Sequence, residues 1–301
     1  MNKLFFLLLI TVSPALAAQP VAEKQKILYG LCTKDSLAAE PFGKWFTTGY
    51  DSYQPHTAAV TRLKKESFEN ISIKVFFGSW CGDSKRELPR FVKLLSAISF
   101  PEKQLQLIGV DNGDSLVKQS PQHEETGLGI FRVPTFIIYK NGIEINRINE
   151  FPAVSLEKDL VEIFTGRSYM PNYHSFGIIR HWITDGTLAD ENASPAGLAG
   201  QLRTLVKDEN ELNSLGYLLL KQEMKKEALK IFQVNYNLYP ESANIVSSLG
   251  EGYYENGDNK KAVAVLEKSL ELNKNPLEVK GILDIIYKAK EKDGNNSGLS
   301  Q

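Results

Sequence analysis

A 34-residue period in the last third of the chain restricts what that part can fold into. Residues that recur at this interval are Leu215-Gly216 with Leu249-Gly250, Ala228 with Ala262, and Leu238 with Leu272. A period of this length is diagnostic of stacked helix–turn–helix units, whose apolar faces are buried only against neighbouring units. The glycine and alanine positions are small, which lets paired helices approach closely. The sequence therefore predicts an all-α module over 208–291, with a further amphipathic helix at 277–290 as a cap.

The region before the repeats alternates between strand and helix patterns. Runs of β-branched and aromatic residues predict strands, and Asn141-Gly142 predicts a tight hairpin between two of them. Apolar residues at helical spacing follow Cys81, so this cysteine opens an amphipathic helix. The predicted strands are 71–77, 105–110, 133–139 and 143–148, and the predicted helices are 57–68, the segment after Cys81, and 155–164. This order predicts an α/β domain, a mixed sheet with helices on its faces.

These patterns divide the chain into consecutive parts. The aromatic-rich segment 18–56 has no clean period and is predicted to pack on the α/β domain after it. The segment 167–207 is irregular, with several glycines and prolines, and the last residues are polar. The predicted parts are an N-terminal extension at 18–56, the α/β domain at 57–166, a linker at 167–207, the helical module at 208–291 and a disordered tail at 292–301.

The first 17 residues have the pattern of a secretory signal peptide. Lys3 precedes the apolar run 4–12, and Ala15-Leu16-Ala17 fits a cleavage site before Ala18. The alternative is an uncleaved N-terminal anchor. Nothing else in the chain is apolar enough to span a bilayer, so we expect a mature protein without a membrane span, in the periplasm or secreted. The net charge of −1 gives no argument for binding nucleic acid.

The segment Ser79–Ser84 contains the residue with the clearest chemistry, Cys81. A cysteine at the start of a helix lies near unpaired backbone N–H groups and the positive end of the helix dipole, which favour the thiolate. Lys85 and Arg86 add positive charge one turn away, while Asp83 opposes them. Ser84 could donate a hydrogen bond to the thiolate, but a hydroxyl cannot displace a sulfur atom. The alternative is that Cys81 is a small buried residue without reactivity.

The α/β region resembles the thioredoxin family. The matching residues are Trp80-Cys81-Gly82, Pro89, Val133-Pro134-Thr135 and Lys140-Asn141-Gly142, which together cover about 57–166. More narrowly, the chain is similar to exported bacterial thioredoxin-like proteins that carry Trp-Cys-Gly-Asp-Ser. The resemblance implies a thioredoxin fold, with Cys81 as the attacking thiol and Pro134 in cis beside it. It also implies that Trp80, Gly82 and the backbone of Val133 contact the substrate.

Two residues depart from the thioredoxin pattern. Ser84 stands where the second, resolving cysteine would be, and Val75 stands where many thioredoxins carry a buried carboxylate. Both missing groups serve the second half of thiol–disulfide exchange, in which the mixed disulfide is released. The leading hypothesis is therefore a monothiol protein in which Cys81 engages a protein thiol or disulfide. The competing hypothesis is a redox-inactive interaction or scaffold protein with the same fold. Peroxide sensing through Cys81 is a weaker third option.

Cys32, the other cysteine of the mature chain, has no role that its spacing decides. It could be a resolving thiol for Cys81, a permanent disulfide partner or an unrelated core residue, and we favour the unrelated role. No cluster of His, Cys and Asp has metal-ligand spacing, and no glycine-rich phosphate loop is present. We therefore expect neither a metal nor a cofactor.

The 34-residue units resemble tetratricopeptide repeats. The matching positions are Leu212, Leu215, Gly216, Leu219, Ala228, Phe232 and Pro240 in the first unit, and Val246, Leu249, Gly250, Tyr253, Ala262 and Leu266 in the second. The resemblance implies a concave surface that binds a peptide or protein, and the alternative is a structural cap or dimerisation element. Two units are few for a solenoid, so we expect the first unit to dock on the linker or on the α/β domain.

Overall fold

A mixed sheet forms the centre of the first part of the molecule. The computed structural model describes residues 26–113 and 116–297, and within them five strands form one sheet in the order β1-β3-β2-β4-β5. The parallel pair is β2 with β3, and the other neighbouring strands are antiparallel. The strands are β1 (Gly30–Cys32), β2 (Ile71–Phe77), β3 (Leu105–Gly109), β4 (Thr135–Lys140) and β5 (Ile143–Asn149). The predicted mixed sheet is confirmed.

One face of the sheet is covered by helices. Apolar residues of this face, such as Val75 and Leu107, pack with α4 (Gly82–Ala97) and α5 (Leu156–Phe164). The rings of Phe91 on α4 and Phe136 on β4 have centroids 4.2 Å apart, which places an aromatic pair at the centre of this core. The five apolar positions that predicted α4 are all buried, namely Leu88, Phe91, Val92, Leu95 and Ile98. The helix prediction after Cys81 is confirmed.

The N-terminal extension is part of the α/β domain. Its residues form α1 (Lys34–Ala38), α2 (Gly43–Ser52) and β1, which adds a strand to the edge of the sheet beside β3. Helix α3 comes next over Thr57–Leu63, shorter than the predicted 57–68. The predicted boundary at residue 57 therefore does not separate two structural units. The missed strand has only three residues, too few for a periodic pattern to be visible. The predicted signal peptide at 1–17 lies outside the described residues.

The other face of the sheet is covered by the chain between β3 and β4. Six buried residues form the core there, which we call the loop-side core: Phe76, Ile108, Val110, Ile130, Val133 and Ile137. Val117 and Phe131 come from the same connection but are buried among residues of the helical module. The segment 116–134, which we call the bridging segment, thus lies between the sheet and the helices of the C-terminal part.

The region predicted to be a linker is folded. It contains α6 (Phe176–Thr184) and α7 (Pro195–Leu202), and their apolar residues share one core with the first repeat. The linker prediction at 167–207 is wrong, because its glycines and prolines interrupt short helices rather than mark an extended connection. Docking of the first repeat on this region and on the α/β domain is confirmed, since Trp182 and Phe131 belong to the same buried cluster.

The helices of the repeats follow the 34-residue period. They are α8 (Glu209–Lys221), α9 (Lys225–Leu238), α10 (Ala243–Glu255), α11 (Asn259–Leu272) and α12 (Pro276–Ser297). Each end of α8 and α9 recurs 34 residues later in α10 and α11. Residues 292–297 continue α12, so the predicted disordered tail is wrong for these residues, and 298–301 lie outside the described part. Among the described helices, none combines the length and apolarity that crossing a membrane requires.

Candidate functional site

Cys81 lies at the N-terminal end of α4, where the chain leaves the sheet. It is the residue before the first helical position, with extended backbone angles, and it is half-buried. The Cys81 thiol donates a hydrogen bond to the carbonyl oxygen of Val133, with 3.3 Å between Sγ and O. The Val133-Pro134 peptide bond is cis, as predicted. Two segments far apart in sequence therefore meet at one sulfur atom.

Trp80 lies next to Cys81 and packs against the loop-side core. Its indole Nε1–H donates to the carbonyl oxygen of Val110 at 3.0 Å, and the ring lies against Gly78. A Cβ atom at Gly78 would come 2.5 Å from the Trp80 ring, so this close packing requires glycine. Gly82 is exposed, and the side chain of Val133 is buried in the loop-side core. The structure thus brings all three predicted substrate-binding residues to Cys81.

Ser84 has a different partner from the one predicted. Its hydroxyl accepts a hydrogen bond from the backbone N–H of Gly78 at 3.1 Å, and the side chain is fully buried. The predicted hydrogen bond from Ser84 to Cys81 is absent among the described residues. The reason is geometric, because the first turn of α4 directs this side chain under the loop that precedes Cys81. Ser84 is therefore an anchor for that loop.

The guanidinium of Arg86, close to Cys81 on α4, is paired with two carboxylates of the same helix. Arg86 forms ion pairs with Asp83 at 2.8 Å and with the buried carboxylate of Glu87 at 2.6 Å. The hydrogen bond with Glu87 raises the pKa of Arg86. The positive charge of Arg86 is thus directed at carboxylates of its own helix.

Lys118 on the bridging segment is a basic residue of the site that the sequence did not indicate. Burial lowers the pKa of its ammonium group to about 8; the charges of Arg132 and Lys221 lower it further, while those of Cys81 and Glu150 raise it. Lys118 is therefore near enough to Cys81 for a thiolate there to favour the charged form of the lysine. The sequence shows only one lysine in a long polar loop, so no local pattern could have identified it.

Arg132, the residue before Val133, is held on several sides. Its Nη2 donates to the hydroxyl of Ser214 at 2.5 Å, its Nε lies 3.9 Å from the Glu150 carboxylate, and its guanidinium lies 5.0 Å from the centre of the Tyr173 ring. The Tyr173 hydroxyl donates to Glu150, and burial together with this hydrogen bond raises the pKa of Tyr173 to about 12. The Glu150 N–H donates to the Pro134 carbonyl oxygen at 2.7 Å. This network fixes the backbone that faces Cys81.

Cys32 lies in β1 and packs with the core on the α4 side of the sheet, whereas Cys81 packs with the loop-side core. Its thiol donates to the Gly30 carbonyl oxygen at 3.2 Å, and burial raises its pKa. Both cysteines are free thiols. The structure therefore does not bring Cys32, which the sequence offered as one candidate resolving thiol, next to Cys81.

Comparisons with known proteins identify no relative. A scan against protein-family models gave no match, and searches of curated proteins and of solved structures gave none either. Within 26–113 and 116–297, no group of three or more His, Cys, Asp and Glu side chains is arranged to hold a metal ion. A function for the chain therefore has to be argued from the geometry around Cys81.

Proposed function

We propose that the protein is an exported, monothiol thioredoxin-like protein in which Cys81 engages the disulfides or thiols of partner proteins. The observation that carries the proposal is the position of Cys81, at the start of α4 with its sulfur 3.3 Å from the Val133 carbonyl oxygen. The N-terminal end of a helix favours negative charge, and a thiolate is the attacking species in thiol–disulfide exchange. The thioredoxin fold is part of the proposal, and the strand order and mixed pairing of the sheet support it.

The proposed reaction is one step of exchange. The Cys81 thiolate attacks one sulfur of a partner disulfide, a new disulfide forms between them, and the other partner sulfur leaves as a thiolate. Ser84 cannot complete a second step, because a hydroxyl does not displace sulfur and this one is bound to Gly78. Cys32 packs against the core on the other face of the sheet. Release then comes from a thiol of another molecule, so the site is suited to capture more than to repeated turnover.

Partner binding by the helical module is the second part of the proposal. A cavity of about 470 Å³ lies where α9 and α10 meet the segment before α7, and Lys226, Gln233 and Tyr253 are among its lining residues. Such a recess suits a peptide or the edge of a protein. Export rests on the predicted signal peptide at 1–17.

A mixed-disulfide experiment tests the reaction. The Cys32→Ala protein, which retains Cys81 as its one cysteine, is reduced, freed of reductant and incubated with insulin as a model disulfide protein. We expect a covalent adduct at Cys81 that dithiothreitol removes, detected by intact mass and peptide mapping. The matched control, Cys32→Ala with Cys81→Ser, should form none. If Cys81 reacts fully with a small disulfide reagent but forms no adduct with insulin, the redox-inactive interaction protein is the better description.

A further inference from the structure

The first repeat binds the bridging segment through positions that contact a neighbouring repeat in the second unit. In the second unit, the Ser248 hydroxyl accepts from the Tyr217 hydroxyl at 3.1 Å and the Asn256 amide donates to the Lys225 carbonyl oxygen at 2.8 Å. Both contacts reach back to the first unit. One period earlier stand Ser214 and Gln222.

Ser214 in α8 and Gln222 directly after it contact the bridging segment. The Ser214 hydroxyl accepts from Arg132, and the Gln222 amide donates to the Val117 carbonyl oxygen at 3.0 Å. Val117 and Phe131, near the two ends of the bridging segment, are buried with α8 residues such as Leu215. The bridging segment therefore covers this end of the helical stack together with α6 and α7, whose apolar residues lie in the same core.

The same segment presents the acceptor for Cys81. Val133 follows Arg132 directly, and its carbonyl oxygen accepts from the Cys81 thiol. Arg132 is also tied to β4, because its carbonyl oxygen accepts from the Thr135 hydroxyl at 2.7 Å. A guanidinium that contacts Ser214, Glu150 and the Tyr173 ring together has little freedom to move. The position of the Val133 carbonyl is thus set from the helical module as well as from the sheet.

We propose that helix α8 is a structural part of the Cys81 site. Arg132 is the positioning residue, because it is bound to Ser214 of α8 and directly precedes Val133. This inference deepens the proposed function and rests on it for its biological meaning. It implies that the helical module controls the reactivity of Cys81 directly, in addition to binding partners. A hydrogen bond from the neutral thiol to a carbonyl disfavours the thiolate, so loosening Val133 makes Cys81 more reactive.

The test is the rate at which iodoacetamide alkylates Cys81, measured against pH in the Cys32→Ala protein. Ser214→Ala with Gln222→Ala removes the two side-chain hydrogen bonds that join α8 and its C-terminal end to the bridging segment. The matched control, Ser248→Ala with Asn256→Ala, removes the equivalent contacts one period later. We expect the first pair to raise the rate near pH 7 by about threefold to fivefold, the effect of losing one hydrogen bond of ordinary strength, and to move the rate profile to lower pH. The control pair should leave both unchanged.

Equal rates in the two pairs, whether both unchanged or both altered, would overturn the inference, because a general loss of stability affects both alike. If the first pair does not fold, the comparison of Ser214→Ala with Ser214→Thr decides. The threonine keeps the hydroxyl and should retain the parent rate, and a Ser214→Ala rate equal to it contradicts the inference. Alkylation needs no partner protein. If the alkylation rate responds to the α8 substitutions but no insulin adduct forms, only the proposed function is contradicted. If the adduct forms but the rate does not respond, only this inference is contradicted.

Discussion

Ser84 Oγ accepts a hydrogen bond of 3.1 Å from the backbone N–H of Gly78, and both residues are buried. The bond ties the first turn of α4 to the end of β2 and so fixes the loop that carries Cys81. Ser84→Ala leaves the Gly78 N–H buried without this partner. We expect the free energy of unfolding to fall by about 1–3 kcal/mol, measured by urea denaturation. An unchanged midpoint would mean that the bond does not stabilise the fold.

Ser84→Cys places a second thiol three residues after Cys81. In the Cys32→Ala background, we expect this thiol to attack the mixed disulfide between Cys81 and insulin, so that the adduct no longer accumulates and free insulin chains are released. Non-reducing gels and intact mass give the measurement. Ser84→Ala is the matched control, because it loses the same hydroxyl without adding a thiol and should keep the adduct. Adduct at the parent level in Ser84→Cys contradicts the prediction.

Gly216 and Gly281 both lie in helices, but substitution by alanine should change the free energy of unfolding in opposite directions at the two positions. A Cβ atom at Gly216 would lie 2.4 Å from Cε1 of the fully buried Phe232 ring, whereas at Gly281 it would meet nothing within 4 Å. Gly216→Ala should destabilise the protein by about 1–3 kcal/mol through overpacking. Gly281→Ala should stabilise it by up to about 1 kcal/mol through helix propensity. Urea midpoints that shift in the same direction for both variants contradict this reasoning.

Lys118 makes stability depend on pH above neutrality. Its pKa in the folded chain is about 8, below the ordinary value of 10.5, so between these values the unfolded chain holds the extra proton. The contribution of Lys118 to the free energy of unfolding therefore rises with pH across this window and is least favourable below it. Lys118→Met should stabilise the protein at neutral pH by up to about 3 kcal/mol, and the gain should shrink as pH rises toward 10.5. The gain is measured by urea unfolding of the parent and the Lys118→Met protein at several pH values. A gain that does not depend on pH would mean that the methionine stabilises the fold by packing and not by removing the charge.

Cys32 should be protected from alkylation in the folded protein. Burial raises its pKa, which lowers the thiolate fraction at neutral pH, and its thiol is bound to the Gly30 carbonyl oxygen. In a Cys81→Ser variant, which isolates Cys32, we expect alkylation by iodoacetamide to be severalfold slower in the folded protein than in urea. The rates are followed by mass spectrometry. Equal rates would show that Cys32 is freely accessible.

Local patterns predicted most of the regular elements. The repeat period predicted the helix pairs because each unit buries small residues such as Gly216 and Ala228 at the same points. The apolar spacing after Cys81 predicted α4 because all of those residues face one core. The predictions failed where an element is short or irregular. The strand β1 has three residues, and α6 and α7 stand among glycines and prolines, so their packing rather than their pattern keeps them folded.

By itself, the sequence determined that Cys81 opens a helix after a strand, that a serine and not a cysteine stands three residues later, and that a helical module follows the α/β part. Only the tertiary structure decided what surrounds the sulfur. Lys118, Arg132 and Ser214 belong to segments far from Cys81 in the chain, and their meeting depends on how the bridging segment packs between the sheet and α8. Hydrophobic spacing reports which face of an element is buried. The spacing does not show which distant element covers that face, and in this protein the covering elements define the Cys81 site.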